Sequence, residues 1–197
     1  MIKLLYQGHS SFRIIDDENN TVIYIDPFAG EGYDVLADAV LVTHEHPDHN
    51  QVDMVAKKPD CKIYRGAEFA KKGSQATFSV GSMDILTFPA YNNIHDISEG
   101  VGFIIKAGDK VLYFAGDTSK IKEMEQLKSK HINYAFLPID GYYNMDAVEA
   151  MECNEIICPE HAVPIHVNPE DFFDMTKTEE FTSDNRCILG PSDVLEF

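Results

Sequence analysis

The sequence has little of what would mark a membrane, secreted or nucleic-acid-binding protein. No apolar run in its 197 residues approaches the roughly 20 residues that span a bilayer, and Met1 to Gln7 lacks the apolar core and cleavage site of a secretory signal. Basic residues are scarce, because 16 Lys and Arg stand against 33 Asp and Glu, and the net charge of −17 repels phosphate backbones. We therefore expect neither a membrane nor a nucleic-acid partner.

Cysteine is also sparse and carries no pattern. The four cysteines are far apart in the chain, at Cys61, Cys153, Cys158 and Cys187. This scatter predicts reduced thiols in a cytoplasmic protein rather than a disulfide framework. No repeat or low-complexity run interrupts the sequence, and its length and 44% hydrophobic content suffice for a substantial core. We expect one domain over residues 1–197.

One segment is rich in metal-ligating side chains: Thr43-His44-Glu45-His46-Pro47-Asp48-His49. If the extended geometry of the preceding apolar run persists past Val42, His44 and His46 point to the same side and bind one ion. Pro47 turns the chain, so Asp48 and His49 suit a second ion nearby. Three histidines and an aspartate within six positions make an accidental polar loop a poor explanation. Imidazole and carboxylate ligands fit zinc, iron or manganese.

Hydrophobic periodicity predicts the elements around this segment. Strands are predicted at 2–6, 12–15, 21–25, 62–65, 76–80, 84–88, 102–106, 110–114, 134–139, 155–159, 187–189 and 194–196. Helices are predicted at 48–57 (stopped by Pro59), 67–72 (closed by Gly73), 119–130, 146–153 and 169–173. In the third of these, Ile121, Met124 and Leu127 face inward. Strands in both halves favour two mixed sheets faced by helices.

His44, His46, Asp48 and His49 resemble the HxHxDH signature of the metallo-β-lactamase fold superfamily without a substitution. Further segments resemble that superfamily in order, in particular the branch of the L-ascorbate-6-phosphate lactonase: Gly8-His9-Ser10-Ser11, Asp26-Pro27, Pro89-Ala90-Tyr91-Asn92 before His95, Gly116-Asp117-Thr118 and Pro164-Ile165-His166. The resemblance covers essentially the whole chain. It implies an α/β (α+β) fold, a four-layer αββα sandwich of two mixed β-sheets flanked by helices.

The resemblance also implies a ligand set for two divalent metal ions. In it, His44, His46 and His95 hold one ion, and Asp48, His49 and His166 hold the other. Asp117 bridges the two ions, with a hydroxide between them, and Asp48 orients this nucleophile and passes a proton to the leaving group. Zinc is the first expectation, and a set without cysteine also accepts manganese or iron.

Several polar residues near the motifs are candidates for supporting the ligands or facing the substrate: His9, Asp26, Tyr91, Asn92, Asp140 and Tyr142. For His9, an ordinary turn histidine is an equally good explanation, whereas Asp26 is expected to hold the region of His49 by hydrogen bonds. His161 is expected to be a surface residue.

The chain departs from the resembled branch at two places. The loop before His95 is shorter than in the family, so Asp96 is an alternative ligand. Asp140 and Asn144 stand where the branch has a glycine and a threonine, which alters the edge of the pocket.

The function expected from this reasoning is hydrolysis of a small, anionic metabolite, either a lactone or a phosphoester. A non-catalytic metal-dependent binding or sensing protein would keep the same ligands. A redox-active diiron protein is a further alternative, although it usually works with a flavin domain that this sequence does not contain.

Overall fold

The computed structural model describes residues 1–71, 75–168 and 171–197, and this part of the chain forms two six-stranded β-sheets. The strands of the first sheet are β1 Ile2–Gly8, β2 Ser11–Asp16, β3 Thr21–Ile25, β4 Ala37–Val42, β5 Lys57–Arg65 and β12 Val194–Glu196. Those of the second are β6 Thr77–Val80, β7 Met83–Pro89, β8 Val101–Ala107, β9 Lys110–Phe114, β10 Tyr134–Pro138 and β11 His161–Ile165. The spatial orders are β12-β1-β2-β3-β4-β5 and β11-β10-β9-β8-β7-β6.

Both sheets are mixed. In the first, β12, β1, β2 and β3 pair antiparallel, and β3, β4 and β5 pair parallel. In the second, β6 to β9 pair antiparallel, and β9, β10 and β11 pair parallel. Because parallel strands end at the same edge of a sheet, the loops that follow β3 and β4, and those that follow β9, β10 and β11, are brought together.

The main core lies between the sheets and is rich in aromatic side chains. Phe12 of β2 contacts Phe114 of β9 and Phe136 of β10, with ring centroids 5.1 and 4.7 Å apart. All three side chains are buried. Each contributes about 1.5–3 kcal/mol by leaving water, so this contact holds the two sheets face to face.

Helical segments cover the outer faces of the sheets: α2 Ala147–Ile157, α3 Met175–Glu179 and the 3₁₀ segments Val52–Met54 and Lys122–Lys130. The short helix α1 Gly66–Ala70 instead packs on the main core through Phe69 and Ala70. Met124, Leu127 and Cys153 pack on the second sheet, whereas Val52 and Val55 pack on the first. This arrangement confirms the expected αββα sandwich. Among the described residues no helix is both long and apolar enough to span a membrane, and each of the four cysteines is a free thiol.

The helix predicted at 48–57 is wrong. A turn follows Pro47, the 3₁₀ segment is only one turn long, and β5 already begins at Lys57. Pro59 lies inside β5, which is an edge strand whose register against β4 slips between Lys57 and Lys62. An edge position with a register shift tolerates proline because no ladder hydrogen bond is lost there. Lys57 Nζ donates to the carbonyls of Val52 and Val55 and closes the segment.

The strand predicted at 155–159 is also wrong. Helix α2 begins after Asp146, whose side chain accepts from the Glu149 N–H, and it continues to Ile157. Its buried face carries Ala150, Cys153 and Ile157, a helical spacing, and Cys158 ends it in a left-handed conformation. The last parallel strand is instead β11, and the apolar run at 156–158 was too short for periodicity to separate helix from strand.

The remaining differences lie near the end of the chain and in short loops. Residues 72, 73, 169 and 170, on which parts of two predicted helices fall, are outside the described residues. Residues 171–173 are not helical, and a short helix, α3, follows instead. Residues 187–189 do not form a strand, although Arg186 makes a single parallel bridge to Ala162. In the predicted helix 119–130, the 3₁₀ segment keeps Ile121, Met124 and Leu127 buried as expected.

Candidate metal centre

The predicted ligands meet where loops from both sheets converge. The loop after β4 supplies His44 to His49, and the loop after β7 supplies His95. The second sheet adds Asp117 after β9 and His166 directly after β11. Extended geometry ends at Val42, so the strand alternation expected for His44 and His46 does not apply, yet their rings still lie 4.5 Å apart.

Four of these residues form a first cluster, whose possible ligand atoms all lie within 4.8 Å of one another: His44, His46, His95 and Asp117. His95 Nε2 is 3.2 Å from His46 Nδ1. Oδ2 of Asp117 is 3.7 Å from Nε2 of His44 and 3.5 Å from Nε2 of His95. These nitrogens and the oxygen surround a space suited to one ion.

A second cluster consists of His9, Asp48, His49 and His166, and their possible ligand atoms also lie within 4.8 Å of one another. Asp48 Oδ2 lies 3.8 Å from Nε2 of His49 and 3.7 Å from Nε2 of His166. His9, which was not predicted as a ligand, joins the cluster through a 3.3 Å contact between its Nε2 and Asp48 Oδ2.

Asp117 lies between the clusters. Its Oδ2 faces the first cluster, and its Oδ1 lies 3.4 Å from Nε2 of His49 and 3.7 Å from Nε2 of His166 in the second. The preceding Gly116 has a φ of 66° and approaches Thr43 so closely that an added Cβ would lie 3.2 Å from the Thr43 Cβ. Glycine at this position therefore lets Asp117 reach the space between the two sets of histidines.

The donor atoms fit divalent cations. Nε2 of His44, His49 and His166 and Oδ1 of Asp117 are buried without a hydrogen-bond partner. Buried polar atoms are ordinarily paired, and leaving several unpaired at one point would be costly. Their convergence is explained by cations that accept these lone pairs, and the absence of sulfur among the donors suits zinc, manganese or iron.

Other polar residues hold the imidazole rings from behind. Asp26 Oδ2 lies 2.9 Å from His49 Nδ1 and accepts from the Thr43 hydroxyl at 2.7 Å, while Asp26 Oδ1 accepts from the Thr43 N–H at 2.7 Å. Thr43 Oγ1 is in turn 3.1 Å from His44 Nδ1. Contacts of this kind fix the tautomer and orientation of metal-binding histidines. One buried carboxylate thus orients a histidine of each cluster.

An acceptor oxygen also lies beside Nδ1 of His95, in a hydrogen bond, and beside Nδ1 of His166, in a charge contact. Asn92 Oδ1 lies 3.1 Å from His95 Nδ1 and also accepts from the backbone N–H of His95. Asp140 Oδ2 lies 3.0 Å from His166 Nδ1. Asn92 and Asp140, two of the predicted supporting residues, therefore each lie beside a histidine of one cluster.

Comparisons with known proteins identify the family of the chain. The family model described as "Beta-lactamase superfamily domain" matches residues 3–166. The chain belongs to the metallo-β-lactamase superfamily. It is 31% identical to a UPF0173 metal-dependent hydrolase of Pyrococcus furiosus, over the full length of both proteins. It is 36% identical to one of Nanoarchaeum equitans, over 85% of this chain and 84% of the relative. This places it among the UPF0173 metal-dependent hydrolases.

A solved structure has the same fold. Igni18, a metallo hydrolase from the archaeon Ignicoccus hospitalis, superposes with a TM-score of 0.75 at 24% identity. The alignment covers 100% of this chain and 99% of that one. The described architecture therefore has a counterpart in a solved fold.

In the present chain, a cleft of about 430 Å³ opens onto the two clusters. Its lining consists of four candidate ligands, His46, Asp48, His95 and Asp117, and four apolar or aromatic residues, Phe28, Pro47, Ile94 and Tyr143. Tyr143 also lines an adjoining cavity of about 480 Å³ beside Asp140, together with Tyr142 and Lys177. The cleft is small, and half of the residues that line it are apolar or aromatic.

The other polar residues considered in the sequence do not line this cleft. Tyr142 is 77% exposed, in the adjoining cavity. Tyr91 is not among the described residues that line either space, because its hydroxyl donates to Glu123 at 2.9 Å. Asp96 is exposed, accepts from the Ser98 N–H and hydroxyl, and belongs to neither cluster. His161 is exposed and stacks on Tyr134.

Sequence reasoning missed three contributors to the site. Thr43 links Asp26 to His44, and Phe28 and Ile94 form part of the cleft wall. Thr43 directly precedes the first histidine of the motif, so its position was the available signal. No pattern in the sequence indicates that Ile94, which is 55% exposed, lines the cleft.

Burial and neighbouring charged groups shift the pKa values of the residues in the clusters. Burial raises the pKa of Asp117, but the imidazoles of His166 and His49, followed by those of His44 and His95, outweigh burial and hold that pKa well below its usual range. Burial, reinforced by the neighbouring His49, lowers the pKa of His44 to about 2. His44 is therefore neutral and offers a free lone pair to a cation.

His166 shows the opposite shift. Burial lowers its pKa, yet Asp117, Asp140 and Asp48 outweigh burial and raise it to about 10. A proton on His166 thus compensates the surrounding carboxylates in the metal-free protein. Since a metal ligand must be deprotonated, cation binding at the second cluster displaces this proton.

Proposed function

We propose that the chain is a dinuclear metal-dependent hydrolase that acts on a small molecule. The observation that carries the proposal is the position of Asp117, whose two carboxylate oxygens face different histidine clusters. A carboxylate with one oxygen toward each cluster is suited to bridge two cations about 3.5–4 Å apart.

The two clusters divide the predicted ligands. His44, His46 and His95 would hold one ion, Asp48, His49 and His166 would hold the other, and Asp117 would be shared. When bound, two divalent ions polarise a carbonyl or phosphoryl oxygen and lower the pKa of a bound water toward neutrality. Zinc is our first candidate, with manganese and iron also compatible with nitrogen and oxygen donors.

Asp48 is our candidate catalytic residue. Its side chain is 35% exposed, and the residue lines the cleft, whereas the side chain of Asp117 is only 4% exposed. The Asp48 carboxylate can therefore contact both the second cluster and a molecule in the cleft. We assign it the orientation of the attacking water, acceptance of its proton and transfer of that proton to the leaving group.

The substrate that we propose is a small anionic metabolite, a lactone or a phosphoester. A cleft of about 430 Å³ accommodates a metabolite rather than a folded polymer. The net charge of −17 repels extended nucleic acid, but within a Debye length of about 8 Å two cations attract a single phosphate or carboxylate. No lysine or arginine is among the described residues that line the cleft, so the ions would supply the positive charge.

We extend the proposal to the placement of the chain within its superfamily. The Gly8-His9-Ser10-Ser11 and Asp26-Pro27 segments support the branch of the L-ascorbate-6-phosphate lactonase, and Asp140 and Asn144 are its departures from that branch. The free thiols support a cytoplasmic protein. We also propose that residues 1–197 form a single hydrolase domain.

Metal analysis and a substrate panel test the proposal. Protein purified without added metal is expected to contain close to two divalent ions per chain. The metal-loaded protein should then hydrolyse a member of a panel of sugar-phosphate lactones and cyclic phosphodiesters, with short RNA assayed at the same salt concentration. The control is the same protein after removal of the ions with a chelator. Turnover of RNA alone would refute the small-substrate proposal, and no turnover with both ions present would favour a metal-dependent binding or sensing protein.

A further inference from the structure

His9 lies in the turn between β1 and β2, where its backbone is strained and held by hydrogen bonds. The residue is only 2% exposed, and its φ of 55° is in the left-handed region that non-glycine residues rarely adopt. Its N–H donates to the carbonyl of Phe172 at 2.7 Å. Its carbonyl accepts from the Tyr6 hydroxyl at 3.1 Å and from the His166 N–H at 3.0 Å. The surrounding chain therefore fixes the direction in which the imidazole leaves the backbone.

Three positions with this backbone strain lie at the metal centre. His9, Asp26 and His166 all have a positive φ, at 55°, 44° and 46°. Residues held in such conformations cluster at functional sites, where the surrounding structure maintains them. Because the backbones of His9 and His166 are hydrogen-bonded to each other, the two strained positions form one unit. The turn between β1 and β2 is thus tied to a predicted ligand of the second cluster.

The ring of His9 is held on two sides. Its centroid lies 3.8 Å from that of His166 and 5.5 Å from that of Phe28, the latter in an edge-on contact. This packing directs Nε2 toward Oδ2 of Asp48, at 3.3 Å. Asp48 itself lies in a turn, and about one third of its side chain is exposed, so its carboxylate would otherwise have rotamer freedom.

His9 could be a direct metal ligand or a residue that positions Asp48, and the hydrogen bonding of its Nε2 distinguishes these two roles. Nε2 of His44, His49 and His166 is buried without a hydrogen-bond partner, which leaves each of these nitrogens open to a cation once any proton on it is displaced. Nε2 of His9 has a partner, the carboxylate of Asp48. A nitrogen that carries a hydrogen for donation has no lone pair left for a metal.

We propose that His9 is a positioning residue, which donates its Nε2–H to Oδ2 of Asp48 and holds that carboxylate toward the second cluster. The inference rests on the proposed metal site at that cluster. It assigns His9 neither to the ligands nor to the groups that touch substrate. Loss of the donor is expected to weaken the ion held by Asp48, His49 and His166 and to leave the ion of the first cluster in place.

Two substitutions separate the hydrogen bond from the backbone strain. In His9→Gln the side-chain amide reaches about as far as Nε2 and can still donate to Asp48. In His9→Asn the amide is one bond shorter and cannot reach, although asparagine tolerates the left-handed backbone better than other non-glycine residues. His131→Gln is the matched control, since His131 is an exposed histidine with a φ of 52° that belongs to neither cluster.

The experiment measures zinc stoichiometry and the affinity of each ion by chelator competition, with the full-length chain at one pH. The absorption spectrum of the cobalt-substituted proteins is recorded alongside. We expect His9→Asn to lose about 10- to 100-fold in affinity for one ion only. His9→Gln should remain within a few-fold of the wild type, and His131→Gln should be unchanged. Melting curves show whether each variant is folded.

Two results would overturn the inference. Wild-type affinities in both His9 variants would show that the contact with Asp48 positions nothing. Equal loss of the ion in both variants, with a changed cobalt spectrum in His9→Gln, would make His9 a direct ligand.

A separate measurement keeps the inference distinct from the dinuclear proposal. Fewer than two ions in the wild-type protein would refute the dinuclear site before any variant is compared. The assignment of His9 would then be decided by a long-range ¹H–¹⁵N spectrum of the metal-free protein. That spectrum should show His9 as the neutral Nε2–H tautomer, and the Nδ1–H tautomer would refute the donor role.

Discussion

The carboxylate of Asp140 lies 3.0 Å from Nδ1 of His166, at the place where the sequence departs from the branch that it resembles. The same oxygen, Oδ2, accepts from the side-chain amide of Asn144 at 2.7 Å, and Oδ1 accepts from the backbone N–H groups of Tyr142, Tyr143 and Asn144. The two departures, Asp140 and Asn144, are therefore partners. Together they form a carboxylate support for a predicted ligand of the second cluster.

Removal of this support should weaken one metal site selectively. We expect Asp140→Ala to lower the affinity of the second cluster by about 10- to 100-fold, because a carboxylate behind a ligating imidazole fixes its orientation and basicity. Asn144→Thr should have a smaller effect, since the backbone donors to Asp140 remain. Chelator competition measures both. Asp109→Ala, an exposed position in the β8–β9 turn, is the control. Unchanged affinity in Asp140→Ala would show that His166 needs no such support.

Loss of Asp117 should affect both ions. Its Oδ2 and Oδ1 lie 3.5–3.7 Å and 3.4–3.7 Å from histidine nitrogens of the first and second clusters, respectively. We therefore expect Asp117→Ala to lose affinity for more than one ion, as measured by metal analysis after dialysis at a fixed free zinc concentration. Full occupancy of both sites in this variant would contradict the shared role. The exposed Asp96 provides a control substitution, Asp96→Ala.

The choice between His95 and Asp96 gives a third prediction. His95 Nε2 lies 3.2 Å from His46 Nδ1 within the first cluster, whereas Asp96 accepts two hydrogen bonds from Ser98 on the surface. His95→Ala should therefore weaken one ion and leave the melting temperature of the metal-free protein nearly unchanged. Asp96→Ala should bind both ions like the wild type. The reverse pattern of affinities would transfer the ligand role to Asp96.

The motif and the fold class could be predicted from sequence because they depend on local spacing. His44 to His49 lie within one loop, and the apolar segments that form β1, β2, β8 and β9 are bounded by clear turns. The contact between Asp26 and His49 joins residues 23 positions apart, but it was anticipated because Asp26-Pro27 resembles a segment of the superfamily branch that lies beside the site. The αββα sandwich followed from the same strand-rich pattern and from the resemblance.

The rest depended on tertiary contacts that no local pattern reveals. Pro59 stops a helix in isolation, but in the folded chain it lies in an edge strand where its missing N–H costs little. The run at Ile156 and Ile157 is helical because Ile157 continues the buried face of α2. The direction of His9 depends on Phe172, which lies 163 positions away (172 − 9), and on His166.

A fourth prediction concerns stability, away from the metal centre. Asp16 joins the two sheets, because its Oδ2 accepts from the Ser82 hydroxyl at 2.6 Å and from the Asn19 side-chain amide at 2.7 Å. Oδ1 accepts from the N–H groups of Glu18 and Asn19. The Ser82 hydroxyl, together with these donors from Asn19 and Glu18, outweighs burial and lowers the pKa of Asp16 to about 2. The folded protein therefore favours the charged carboxylate more than the unfolded chain does.

The sign of the pH dependence follows from this depressed pKa. The stabilisation by charged Asp16 is fully present above the unfolded value, about 3.9, and is lost as the pH falls through the folded value, about 2. We expect Asp16→Asn to lower the free energy of unfolding of the metal-free protein by about 1–3 kcal/mol at pH 7. Urea denaturation at pH 7, 4, 3 and 2 should show the difference from the wild type shrinking between pH 4 and pH 2. Asp60→Asn, exposed on β5, should change the stability by no more than about 0.5 kcal/mol throughout. A difference for Asp16→Asn that stays constant from pH 7 to pH 2 would show that the charge on Asp16 does not hold the sheets together.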